Sequence, residues 1–196
     1  MSDTFAARGF QPHDSIRLRE DQLRLGLWMF LATVTMLFAA FTSAYVVRRS
    51  GSDWHHIALP SVLWVNTLVL LASSVAVETA NRFGLRRQWT ATAFSFGAAL
   101  AFGAAFLGGQ AIAWRQMVAM GVYLPSNPHS SFFYMLTGAH AVHIVAALVV
   151  LAWGLAGTRE GSRNPRAWAT QMDLCRTFWH YLGGVWLFLF ALVSLY

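Results

Sequence analysis

A chain of 196 residues that is 57% hydrophobic and 11% charged lacks the polar surface of a soluble domain, which is about 25% charged, and reads as a membrane protein. All 14 basic residues are arginines and the formal net charge is +6, but they punctuate apolar runs and form no stripe, which argues for membrane orientation and against nucleic acid. The single Cys175 excludes a disulfide framework or a Cys-based metal cluster within the chain.

Residues 1–23 mix both charge signs and carry Gly9 and Pro12, so they read as a cytoplasmic N-terminal arm. A short amphipathic segment fits 16–23, and the arm serves either as a solvated tail or as a contact to a partner subunit. It has no apolar core before a small-residue cleavage site, so no secretory leader is expected. Residues 24–196 read as one all-α integral membrane bundle of five transmembrane helices, at about 25–47, 59–80, 89–114, 131–156 and 174–195. Crossing a bilayer takes roughly 20 residues at about 1.5 Å each, and every run is long enough. Pro60 enters the second helix, Pro125 and Pro128 precede the fourth, and no proline falls in mid-span.

Five crossings put the termini on opposite sides. With the N-terminus inside, Arg8, Arg17, Arg19, Arg24, Arg82, Arg86, Arg87, Arg159, Arg163, Arg166 and Arg176 lie at the inner side, against Arg48, Arg49 and Arg115 outside. The positive-inside rule then gives N-terminus inside, C-terminus outside. Trp28, Trp89, Trp153 and Trp179 near inner ends, and Tyr45, Trp64, Trp114 and Tyr134 near outer ends, fit aromatic belts in that frame. In the third helix Ala93, Gly97, Ala101, Ala105 and Gly109 recur every four residues. They form either a packing stripe or the ordinary Ala and Gly abundance of a membrane helix. No inverted repeat and no interrupted helix suggests a secondary transporter.

Polar side chains inside the spans are the candidate site residues. His140 lies near mid-membrane and His143 follows on the same face, so the fourth helix should have protein neighbours. A copper site wants three converging ligands and a bis-histidine haem draws on separate helices, while His180 falls a turn or two nearer the inner surface. The expectation is therefore no metal ligand and no catalytic residue in this chain. His140, His143, His180, Gln110, Asn66 and Asp173 are expected as buried structural polar groups hydrogen-bonded between helices. Glu78 and Arg176 near inner ends default to structural roles, with their side chains reaching the interface. Arg159, Arg163 and Arg166 either hold anionic lipid headgroups or simply set topology. The loop pair His55 and His56 beside Trp54 is expected at the surface. Nucleophile elbows, phosphate loops and catalytic carboxylate pairs are absent from the sequence.

Four runs, in register from about residue 24 onward, resemble subunit III of the haem–copper respiratory oxidases. The run Ser131-Phe132-Phe133-Tyr134-Met135-Leu136-Thr137-Gly138-Ala139-His140-Ala141-Val142-His143 is similar to that family's STFF-xxTGFHGLHV stretch. Trp179-His180-Tyr181-Leu182 through Phe190 resembles its WHFVDVVWLFLF ending, Asn66 to Ser74 its LNTxxLLxSS run, and Leu107 to Ala111 its LxxQA segment. The resemblance implies the five-helix bacterial form with the orientation derived above. It also implies a subunit that binds no redox cofactor of its own, with haem and copper in partner subunits. It would pack directly on subunit I, near subunit II and other oxidase or supercomplex subunits, bind phospholipid and support proton uptake. The expected location is the bacterial inner membrane. Three acidic positions of the family are lost: Val34, Ala113 and Gly183 stand where it has carboxylates. The buried histidines should then take neutral partners such as Thr33, Thr35 or Gln110. The departures suggest a divergent branch: a quinol oxidase, an unusual cytochrome c oxidase, or the protein accompanying nitric oxide reductase. A small proton-coupled transporter using the three histidines is a competing reading.

Overall fold

A computed structural model of the chain describes residues 12–54, 59–161 and 163–195, with side chains from Glu20 onward. Five helices follow in order: α1 (Pro12–Arg48), α2 (Val62–Leu85), α3 (Trp89–Ala119), α4 (Pro128–Gly161) and α5 (Pro165–Leu195). There is no strand among the described residues, and each helix is long and apolar enough to cross a membrane. Three of them begin at a proline, whose fixed φ and missing N–H suit the first helical position.

The helices overrun the expected spans because hydropathy marks the apolar layer, whereas backbone hydrogen bonding continues into the headgroup zone. The largest correction concerns the N-terminus. Residues 12–23, expected as part of an arm, already belong to α1, while 1–11 lie outside the described residues. α2 starts at Val62, later than expected, because Pro60 accepts from the Leu63 N–H in a turn before the helix. α3 ends at Ala119, ahead of Gly121 with φ of 77°, a value glycine adopts without a Cβ penalty.

α2 packs on α3, α3 on α4, α4 on α5, and α5 back on α2, closing a four-helix ring. α1 leans on α4 and α5 from outside that ring. Only 17% of its most apolar stretch is buried, against 33–39% for the others. Large side chains fill the ring, among them Phe96, Phe106, Leu136, Trp179 and Trp186. Close approach is bought by glycine: a Cβ on Gly84 would run into the Trp168 ring, and one on Gly103 would sit 2.6 Å from Leu148 and 2.7 Å from Trp179. Outside, Val65, Leu68, Phe94, Val142 and Val149 are exposed, as expected where the solvent is lipid.

The small-residue stripe of α3 does not close the bundle. A spacing of four drifts by about 40° per step on a helix of 3.6 residues per turn. The buried face runs through Thr92, Phe96, Ala99, Gly103, Phe106, Gln110 and Ala113, while Ala101 and Ala105 are exposed on the opposite side. Only Gly109, at the end of the drift, turns inward, against Asn66 of α2.

Candidate functional site

His140 is fully enclosed where α1, α3, α4 and α5 meet. Its ring is bounded by Phe38 at 6.3 Å, Phe106 at 6.1 Å and Trp186 at 5.3 Å between centroids. Neither ring nitrogen has a hydrogen-bond partner. The expected inter-helix hydrogen bond is not made, because aromatic side chains occupy the directions in which a polar partner would stand. Thr33 donates instead to the Met29 carbonyl at 3.0 Å. Thr35 donates to the Leu31 carbonyl at 2.7 Å and lies 2.7 Å from the Tyr181 hydroxyl. Gln110 is buried as expected, with both amide atoms unpartnered. His143 is half-buried, its Nδ1 lies 2.7 Å from the Ala139 carbonyl of its own helix, and its ring sits 5.6 Å from Phe38.

Real inter-helix hydrogen bonds run elsewhere. Asn66 donates to the Phe106 carbonyl at 3.0 Å, as its candidacy required. Ser73 donates to the Ala99 carbonyl at 2.9 Å, and the indoles of Trp186 and Trp114 donate to Thr67 and Thr137, each at 3.0 Å. Ser73, Thr67, Thr137, Trp114 and Trp186 were not singled out from sequence as hydrogen-bonding groups between helices. The signal was present for α2, where Leu63, Asn66, Thr67, Leu70, Ser73 and Val77 share one face at helical spacing. A second missed feature joins the end of α1 to the start of α4. His129 stacks on Trp54 at 4.9 Å, with the Tyr45 hydroxyl 3.4 Å from its Nε2. The pair His55 and His56 lies outside the described residues.

His180 and Asp173 correct the expectation of burial. The inward face of α5 runs through Trp168, Met172, Cys175, Trp179, Leu182 and Trp186. His180 follows Trp179 and Asp173 follows Met172, each turned about 100° off that face. Asp173 pairs with Arg24 of α1 at 3.2 Å, both half open. His180 lies 4.0 Å from Glu78, whose carboxylate also meets Arg176 at 2.9 Å and Arg82 at 3.9 Å. The three histidines therefore do not converge, and no group of three His, Cys, Asp or Glu among the described residues could hold a metal ion. Arg159, Arg163 and Arg166 are exposed together at one end, and Arg159 lines a surface hollow of about 390 Å³ between α3 and α4.

The family model described as cytochrome c oxidase subunit III matches residues 3–196. The chain is 30% identical to the probable cytochrome c oxidase subunit 3 of Mycobacterium tuberculosis H37Rv, covering 89% of this chain and 88% of that one. It is likewise 30% identical to the cytochrome c oxidase subunit 3 of Corynebacterium diphtheriae, with the same coverage. At 29% it is similar to the cytochrome bo(3) ubiquinol oxidase subunit 3 of Pseudomonas putida, over 87% of this chain and 84% of that one.

Proposed function

The chain belongs to the cytochrome c oxidase subunit III family, and on that premise we propose that it buttresses subunit I of a bacterial haem–copper terminal oxidase. It is the non-catalytic member of that oxidoreductase complex, a multi-pass membrane protein whose family keeps its cofactors in other subunits. Its contribution is to hold subunit I and the lipid around it in shape, so that proton uptake survives many turnovers. The observation that carries this reading is the enclosure of His140 by three aromatic rings with both nitrogens unpartnered: a fully buried ionisable side chain is built to pack.

In this reading the arginine-rich end, with Arg86, Arg87, Arg159, Arg163 and Arg166, faces the cytoplasm of a bacterial inner membrane. The last three there hold anionic lipid headgroups. Deleting the chain and purifying the remaining complex tests the function. Haem absorption should persist while oxygen uptake decays progressively during turnover. Loss of haem signals from an otherwise complete complex would sink it. The likeness to a ubiquinol oxidase subunit leaves a quinol as second candidate donor, and comparing quinol with reduced cytochrome c as substrates of the purified complex decides between them.

A further inference from the structure

Ionisable side chains at membrane depth rarely face lipid; they face protein or a water-filled cavity. In this chain a group of them faces outward. Glu78, Arg82, Arg176 and His180 form one cluster on α2 and α5, and each keeps 30–72% of its side-chain surface open. Depth follows from the apolar run of α5, about 174–195: Arg176 lies near its inner end and His180 about 6 Å further in along the axis. An arginine at the edge of the apolar layer loses hydration unless a partner meets it. Pairing with Glu78 offsets part of that, yet the cluster holds two arginines against one carboxylate.

Shape supplies an independent observation. Beside His180, α1 and α5 stand apart over a groove of about 740 Å³. Its lining includes Ala39, Thr42, Ser43, Gly184 and Phe188. A Cβ on Gly184 would meet nothing within 4 Å, so a foreign backbone can come close there. Small residues and hydroxyls are what helices use to approach one another in lipid. An acyl chain would also fill such a groove, and the crosslinking below tells it from a helix. The α3 surface around Phe94, Ala101 and Ala105 is exposed, and α3 carries no ionisable side chain before Arg115 near its far end.

We propose that the α1–α5 groove and the adjoining Glu78–Arg176–His180 cluster form the face on which a transmembrane helix of the redox subunit docks. A carboxylate or carbonyl of that helix balances the surplus arginine. The identity of the partner rests on the oxidase-subunit reading, whereas the location of the face rests on the geometry alone.

The test uses the complete complex in native membranes, with a photo-crosslinking benzoyl-phenylalanine in place of Phe188 or, as control, of Phe94. Both are exposed aromatic positions, so the replacement is nearly isosteric. Illumination should join position 188 to the haem-bearing polypeptide and leave position 94 without a protein adduct. Lipid adducts alone at 188, or the protein adduct at 94 instead, would overturn the docking face. In parallel, Glu78→Leu combined with Arg82→Leu and Arg176→Leu removes the lipid-facing charges if the cluster faces lipid, so association should stay unchanged or improve. If it faces a partner, the orphaned acceptor should lower recovery of the redox subunit with this chain by about tenfold or more, at equal membrane levels of the chain. Unchanged recovery overturns the proposal. A wild-type chain that crosslinks through 188 to a polypeptide lacking haem would instead keep the face and sink the oxidase reading.

Discussion

Replacing His140 separates packing from chemistry, because the two predict different orders of damage. A buried polar group without a partner costs about 1–3 kcal/mol, and neither nitrogen of His140 has one. His140→Leu removes that cost. Against it stand the lost contacts with Phe38, Phe106 and Trp186, worth about 0.5–1.5 kcal/mol, and a shape change costing under about 1.5 kcal/mol. The net should fall within about 1 kcal/mol of zero. His140→Ala leaves a cavity at a fully enclosed position, so it should cost about 2–5 kcal/mol. Unfolding of the chain within the purified complex, followed as denaturing detergent is added to mixed micelles, reads the gap. Oxygen uptake and proton uptake are measured on the same samples. Leucine as damaging as alanine, or a leucine variant of full stability that no longer takes up protons, would refute the reasoning, because ring nitrogens would then matter.

Gly84→Leu should prevent accumulation of folded chain, since a side chain there meets the Trp168 ring that seats α5 against α2, and immunoblots of membranes would report it. Thr67→Val keeps the volume but orphans the buried Trp186 indole N–H, so it should cost about 1–3 kcal/mol in the same detergent titration. Ala101→Leu should change neither folding nor recovery of partner subunits, because Ala101 points away from the ring; lost recovery would place a partner on α3.

Much of the architecture was legible because lipid enforces it. A segment that must satisfy its own backbone becomes a helix, so five uncharged runs gave five helices. Boundaries were less legible, since a helix does not end where the apolar layer ends, as the extension of α1 back to Pro12 shows. Burial of single polar residues was the weakest inference. His140 and His180 both stand in apolar runs, but one turns inward and the other lies 100° off the inward face, a distinction carried by neighbours such as Trp179. The α3 stripe failed for a related reason: a spacing of four follows the eye along the sequence but winds round the helix.

Val34, Ala113 and Gly183, where the family resemblance implies carboxylates, share one interior with the unpartnered His140. Val34 and Ala113 are almost completely buried, and Gly183 is buried too. A carboxylate at any of these positions would be stripped of water and would need a proton, a cation or a hydrogen-bond donor. His140 on α4 and the unpartnered amide of Gln110 on α3 are interior groups able to offer a donor. With valine, alanine and glycine there instead, the ring packs among the aromatic surfaces of Phe38, Phe106 and Trp186. Among the described residues no Asp, Glu, Lys or Arg is buried. The ionisable groups at membrane depth lie on the outward face, around Glu78 and Arg176. In the proposed reading this chain acts on protons through what touches that face, by fixing a neighbour's geometry and field, since among the described residues no buried carboxylate stands beside His140.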